Sequence, residues 1–230
     1  MRRSRAALAA GAVAAAVSAA IAAPSGSPGG SAVFMDGGAV ARLRGDAVSL
    51  RSAPGSARVL AVVGRTSEFG SPTTLAVVAF HGRWVEVIST KLGNDVHGFV
   101  PLRQVWLRHD PVAVDVDLSQ RWLRVWRDGV VERRIDVAIG AAASPTPIGR
   151  FAVTDELTGY NPGAYGCCIL ALSGHQTRLP SGWTGGDHLA IHGGGGIGSA
   201  VSSGCLHAAE PNLRWLMRRL PLGTQVVIHP

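Results

Sequence analysis

Short runs of alternating apolar and polar residues fill most of this chain from residue 36 onward. Alternation with a period of two is typical of β-strands that bury one face, and glycine, proline or polar turns bound each run. Between residues 36 and 109 the clearest runs are 47–51, 75–80 and 84–88. Several short strands at such close spacing predict a small β-barrel over residues 36–109.

The same pattern continues over residues 111–230, which we interpret as a second domain. Asp128-Gly129 is a strong two-residue hairpin signal between two of its runs. One late amphipathic helix is predicted, with Pro211 in its first turn and Pro221 ending it. Its apolar stripe comprises Leu213, Leu216, Met217 and Leu220. The predicted fold class is therefore mainly β: a small barrel, then a β-rich domain with one late α-helix.

The N-terminal segment has a different composition. Arginines precede a long Ala/Val/Ile stretch that ends in the small-x-small site Ala20-Ile21-Ala22. This predicts a signal peptide over residues 1–23, followed by a flexible Gly/Ser/Pro-rich linker over residues 24–35. An uncleaved anchor is the alternative, and only then would the protein contact a membrane. We expect an exported protein, located in the periplasmic space or cell wall, or secreted.

The net charge of the chain restricts the classes of binding partner that we expect. The chain has 22 basic and 15 acidic residues, a formal net charge of +7. Loss of Arg2, Arg3 and Arg5 with the signal peptide would leave a net charge of +4. This mild basicity suits an anionic wall polymer, and the scattered arginines form no stripe with interleaved aromatic residues. We therefore expect no nucleic-acid partner.

Three cysteines leave at least one thiol unpaired within the chain. Cys167 and Cys168 are neighbours in an apolar run, and buried reduced thiols are the simplest interpretation. A vicinal disulfide and a bridge to Cys205 are the alternatives.

Cys205 follows His192 by thirteen residues, near the C-terminus. A thiol is a good nucleophile only as thiolate, and a nearby imidazole is the usual means of producing one. The polar turn Ser202-Ser203-Gly204 directly precedes Cys205, and such a turn can aim the backbone N–H groups of Gly204 and Cys205 at a developing oxyanion. This combination predicts acyl transfer.

Two other interpretations of the same region are weaker. His192, Cys205 and His207 could bind zinc with Asp187 or His188, but the residues are widely spaced and match no zinc motif. The glycines at 193, 195 and 198 formally match a dinucleotide fingerprint, but no βαβ unit fits around them. We therefore predict neither a metal nor an organic cofactor.

Residues 112–230 resemble the L,D-transpeptidase catalytic domains of the YkuD-like family. The similarity lies in three ordered blocks: Ser144-Pro145-Thr146-Pro147-Ile148-Gly149, Ala190-Ile191-His192-Gly193, and Ser202-Ser203-Gly204-Cys205-Leu206. Residues 36–109 are similar to the bacterial SH3-like modules of cell-wall proteins, a combination found in actinobacterial members.

This resemblance implies an enzyme acting on peptidoglycan stem peptides. The Cys205 thiolate would attack a tetrapeptide donor and expel its terminal D-alanine, and an acceptor amine would resolve the thioester into a 3–3 cross-link. His192 would activate the thiol, with its ring oriented by a backbone carbonyl such as that of Gly193. Carbapenem-type inhibitors would acylate the same cysteine. The remaining site residues implied are Ser203 and Gly204 through their backbone, and Ser202, His207, Gly194 and Tyr165 toward substrate.

Three positions depart from the family pattern. Ser203 stands where histidine or alanine is usual, His207 where arginine is common, and Gly194 where threonine follows His-Gly. Arginine offers a fixed charged fork that histidine lacks. Two alternative functions stay open: an L,D-carboxypeptidase that uses water as acceptor, and a catalytically weak wall-binding protein.

Overall fold

The computed structural model describes residues 37–230, so the predicted signal peptide and linker lie outside the described residues. Within that range the mainly β prediction is confirmed. No helix among these residues has the length and apolar character needed to cross a membrane.

Seven strands form one antiparallel sheet, here called the N-terminal sheet, in the order β3-β2-β6-β5-β4-β1-β7. The strands are β1 Gly38–Leu43, β2 Ala47–Arg51, β3 Val59–Gly64, β4 Thr74–His81, β5 Trp84–Val87, β6 Gly98–Pro101 and β7 Val105–Asp110. A 3-10 turn, Leu102–Gln104, joins β6 to β7. The sheet encloses its own apolar core, in which Leu50, Val85 and Val100 are fully buried.

A second sheet of eight strands, here called the C-terminal sheet, has the order β10-β9-β8-β17-β12-β13-β14-β16. Its strands are β8 Val112–Asp117, β9 Trp122–Arg127, β10 Val130–Asp136, β12 Gly149–Thr158, β13 Cys168–His175, β14 His188–Gly193, β16 Leu206–Ala208 and β17 Gln225–His229. A short parallel pair, β11 Ile139–Gly140 and β15 Ala200–Ser202, lies apart from it. Two strand pairs of the large sheet are parallel, β8 with β17 and β14 with β16.

Local sequence explains the hairpin and the late helix. Asp128 and Gly129 both have positive φ, 48° and 76°, as a tight hairpin between β9 and β10 requires. Helix α2, Glu210–Met217, starts with proline in its first turn and buries Leu213 and Leu216. The sequence analysis missed α1, Pro162–Tyr165, because four residues are too few to display an apolar stripe.

Polar contacts fasten the N-terminal sheet to the C-terminal sheet. Asn94 makes two hydrogen bonds of 2.8 Å with the backbone of His175, one to its carbonyl and one from its N–H. The buried Gln225 amide donates to the Val77 carbonyl at 2.9 Å, and the Ser67 hydroxyl donates to Asp155. These contacts hold the segment around residues 67–69 beside the start of β14.

Candidate active site

Strands β14 and β16 bring the predicted histidine and cysteine segments together. They pair in parallel, with Ile191 opposite Leu206 and His192 opposite His207. Side chains alternate along a strand, so His192 and His207 project from the same face, and their ring centroids lie 4.7 Å apart. Cys205 directly precedes β16, and it lines with both histidines a cavity of about 410 Å³.

The rest of the cavity wall is largely apolar and aromatic. Its apolar lining includes Leu157, Tyr160, Tyr165, Leu179 and Trp183. The N-terminal sheet contributes Phe69, whose ring packs edge-on against His188 at a centroid distance of 5.7 Å. Sequence reasoning missed Phe69, since a long-range contact of this kind leaves no local pattern.

Cys205 is a free, half-buried cysteine whose Sγ lies 3.8 Å from the carbonyl oxygen of His188. Burial raises the pKa of the Cys205 thiol, and a hydrogen bond from the Ala190 backbone opposes this only in part. The resting residue is therefore a neutral thiol near pH 7.

His192 is buried, and its Nδ1 lies 2.7 Å from the Gly193 carbonyl oxygen. A carbonyl only accepts, so the neutral ring carries its proton on Nδ1 and leaves Nε2 as the basic nitrogen. The Tyr165 ring packs edge-on against it, with centroids 4.9 Å apart. Burial lowers the pKa of His192 to about 4. The nearby His207 also lowers this pKa, whereas the hydrogen bond to Gly193 raises it. His192 is thus a neutral imidazole at physiological pH.

The turn before the nucleophile is held by its own serine. The Ser202 hydroxyl donates to the Cys205 carbonyl at 2.6 Å and accepts the Gly204 N–H at 3.1 Å. The Gly204 N–H therefore already has a partner, and it could serve as an oxyanion donor only after leaving Ser202. Gly204 has φ of +120°, and a Cβ there would lie 2.0 Å from Gln176 Nε2, so this position requires glycine.

Two positioning residues were not recognised in the sequence. The Gln176 amide donates to the carbonyls of Pro145 at 2.9 Å and Ser203 at 3.1 Å. The buried Thr146 hydroxyl donates to the Gly204 carbonyl and accepts the Gly140 N–H, both at 2.8 Å. Together they tie the Pro-Thr-Pro segment to the nucleophile turn. Thr146 lay in a block already singled out, whereas Gln176 had no sequence signal.

Thr146→Val is expected to loosen this turn. It keeps the side-chain shape but leaves the buried Gly204 carbonyl and Gly140 N–H without their hydroxyl partner, which costs about 1–3 kcal/mol. We expect a lower melting temperature and slower acylation of Cys205. Thr146→Ser keeps the hydroxyl and is the matched control. A valine variant that melts and reacts like the wild type would contradict the assigned role.

His207 and Gly194 form a single structural feature. Nδ1 of His207 donates to the Gly195 carbonyl at 3.0 Å, which lays the ring over Gly194. A Cβ at residue 194 would lie 2.6 Å from that Nδ1. The two departures from the family pattern are therefore linked, because the histidine ring fills the space that a side chain at 194 would need.

The segment that carries Tyr165 packs closely on the histidine strand. A Cβ on Gly193 would come within 2.9 Å of the Tyr165 carbonyl, so only glycine allows this approach. Directly after it, Cys167 and Cys168 are joined in a disulfide. The expected reduced pair is thus corrected to the vicinal alternative, and Cys205 is not bridged to either residue.

The metal set considered from the sequence does not assemble. Within residues 37–230, Asp187 and His188 group with His175 instead of with His192, Cys205 and His207. The cavity brings together a thiol, on Cys205, and a neutral imidazole, on His192.

Comparisons with known proteins identify the family of this chain. A sequence model of the YkuD family, the L,D-transpeptidase catalytic domain, matches residues 111–228. YkuD of Bacillus licheniformis, itself an inferred L,D-transpeptidase, is 30% identical over 124 residues, which cover 52% of this chain and 67% of that protein.

Solved structures show weaker similarity. An L,D-transpeptidase from Mycobacterium smegmatis is 17% identical with a TM-score of 0.43, covering 68% of this chain and 82% of the other. One from Mycobacterium tuberculosis H37Rv is 20% identical with a TM-score of 0.42, covering 60% and 74%. The family assignment rests on the family model and the Bacillus relative.

A free cysteine and a buried neutral histidine that share one cavity can support nucleophilic acyl transfer. The chain belongs to the YkuD family of L,D-transpeptidase catalytic domains.

Proposed function

We propose that this protein is a peptidoglycan L,D-transpeptidase that forms 3–3 cross-links through a thioester on Cys205. The proposal is carried by the free Cys205 thiol and the neutral His192 imidazole in one cavity of a YkuD-family chain. A tetrapeptide stem is the donor, and an amine of a neighbouring stem is the acceptor. The reaction uses no metal and no organic cofactor.

The protonation states of the pair favour a concerted first step. A stable thiolate–imidazolium pair requires a histidine whose pKa exceeds that of the thiol, and here the two shifts run the opposite way. His192 Nε2 therefore takes the thiol proton as Sγ attacks the carbonyl carbon of the donor. As the C–N bond to D-alanine breaks, His192 returns that proton to the leaving amine. The acceptor amine then attacks the thioester, and its proton passes through His192 to Sγ.

A tetrapeptide stem distinguishes this function from its alternatives. Purified protein incubated with the stem should yield cross-linked dimers with loss of D-alanine, measured by mass spectrometry. Tripeptide alone would identify an L,D-carboxypeptidase, in which water replaces the acceptor. Absence of both products at high enzyme concentration would favour the wall-binding protein and contradict the proposal.

Inhibitor labelling tests the nucleophile directly. One solved L,D-transpeptidase is in complex with imipenem, and L,D-transpeptidase 3 of Mycobacterium tuberculosis carries a faropenem-derived adduct. By extension, a carbapenem should add its mass to Cys205 of this protein. Peptide mapping after labelling locates the adduct, and an unlabelled Cys205 would argue for a site that has lost its reactivity.

The domain organisation belongs to the same proposal. We assign residues 1–23 to a signal peptide, 24–35 to a linker, 36–109 to an SH3-like module and 111–230 to the catalytic domain. Seven short strands with their own core over Gly38–Asp110 support a separate module in the N-terminal sheet. Export to the wall places the enzyme with its substrate, and the module either binds the wall or acts as a spacer.

A further inference from the structure

Three side chains with metal-ligating atoms meet at the junction of the N-terminal sheet with β14. They belong to His175, at the end of β13, and to Asp187 and His188, at the start of β14. One ligand atom from each lies within 4.8 Å of the other two. A fourth group is close, since Glu68 Oε1 lies 2.8 Å from His188 Nε2. Asp187 and His188 also line the cavity that contains His192 and Cys205, but no step of the proposed reaction uses their side chains.

The ring of His175 is placed between two hydrogen-bond acceptors. Its Nε2 lies 2.8 Å from the Thr90 carbonyl oxygen, and its Nδ1 lies 3.2 Å from Asp187 Oδ2. A neutral imidazole has only one N–H, so a proton on Nε2 leaves the Nδ1 lone pair facing a carboxylate oxygen. A metal ion bound to both Nδ1 and Oδ2 would satisfy these two atoms together.

The surroundings match those of a metal-bound histidine. Such a histidine usually donates its second N–H to a backbone carbonyl, which fixes the tautomer, and Thr90 supplies that carbonyl here. Imidazole nitrogens combined with carboxylate oxygens suit zinc and neighbouring transition metals better than magnesium or calcium. The negative charges of Asp187 and Glu68 would balance a divalent ion.

We propose that His175, Asp187 and His188 form a binding site for a divalent transition-metal ion, with Zn²⁺ as the best fit and Glu68 available as a fourth ligand. The site joins the two sheets, because Glu68 and Thr90 come from the N-terminal sheet and its loops. It also lies next to the nucleophile, since the backbone carbonyl of His188 is the group that Cys205 Sγ contacts. An ion on the His188 ring would therefore fix the strand end against which the thiol rests.

Cobalt titration tests this site in the whole chain, prepared without a histidine tag and stripped with a chelator. Visible absorption of Co²⁺ reports coordination, and competition with Zn²⁺ gives the zinc affinity. The titration is run on the wild type and on Cys205→Ser, which removes thiol coordination. We expect about one ion per chain in both, and a loss of affinity of at least about 100-fold in His175→Ala and Asp187→Asn.

A matched control comes from the N-terminal sheet. His97 lies 2.8 Å from Glu86 outside the cluster, so His97→Ala should bind Co²⁺ like the wild type. Asp187 is 48% exposed, so its asparagine variant can be checked for normal folding by circular dichroism. Unchanged Co²⁺ binding in both His175→Ala and Asp187→Asn would overturn the proposal. Loss of Co²⁺ binding in Cys205→Ser would also overturn it. Absence of any binding up to millimolar Zn²⁺ would also overturn it.

Discussion

Replacing Cys205 with alanine or serine is expected to abolish turnover, with a loss on the order of 10⁴-fold or more, while the fold is kept. Alanine removes the nucleophile. Serine replaces it with a hydroxyl of far higher pKa, which an imidazole with a pKa of about 4 cannot activate. Stem-peptide dimers measured by mass spectrometry give the activity.

The fold control for this experiment is thermal unfolding. Cys205 is half-buried and forms no disulfide, so both replacements fit without breaking a covalent link. Melting curves should stay close to that of the wild type. An alanine variant that keeps full activity in a purified assay would show that the mechanism proposed for Cys205 is wrong.

His192→Ala is expected to slow acylation by about 10²- to 10⁴-fold, the usual contribution of a general base. The variant leaves the thiol in place, but nothing accepts its proton as Sγ attacks. Stopped-flow acylation by a carbapenem measures this step alone. The exposed His109 on β7 offers a matched control, and His109→Ala should react at the wild-type rate. An unchanged acylation rate in His192→Ala would show that another residue is the general base, and the neighbouring His207 would be the first candidate.

The pH dependence of the same step follows from the lowered pKa of His192. The neutral ring is the active form, and it is lost only as the pH falls through about 4. The acylation rate should therefore change little between about pH 5 and 7 and decline below that range, whereas a histidine at its reference pKa of about 6.5 would give a decline near neutrality. A midpoint near pH 6.5 would contradict the burial argument.

Local patterns in the sequence were sufficient for the strand content, the Asp128-Gly129 hairpin and the late helix. In each case the determining signal lies within a few residues: alternation, a pair of turn residues, or an apolar stripe bounded by proline. The residues His192 and Cys205 were also visible, because each ends or lies within a short motif, Ala190-Ile191-His192-Gly193 and Ser202-Ser203-Gly204-Cys205.

Long-range contacts were not visible in the sequence. Gln176 reaches carbonyls 27 and 31 residues away, and the Glu68–His188 contact joins different sheets. The engagement of the Gly204 N–H by Ser202 depends on the exact fold of the turn, and hence the oxyanion donors could not be assigned from residue types alone. The Cys167–Cys168 disulfide was one of several pairings that the sequence allowed.

The packing of His207 over Gly194 imposes an order on sequence change at these two positions. Threonine at 194 would require the imidazole to leave its observed position, since the threonine Cβ would lie 2.6 Å from Nδ1. At position 207, a side chain that does not occupy the space above residue 194 causes no steric clash while residue 194 is glycine. Substitution at position 194 is therefore coupled to position 207, and a side chain larger than glycine at 194 should be tolerated better once His207 is replaced by a residue that leaves this space.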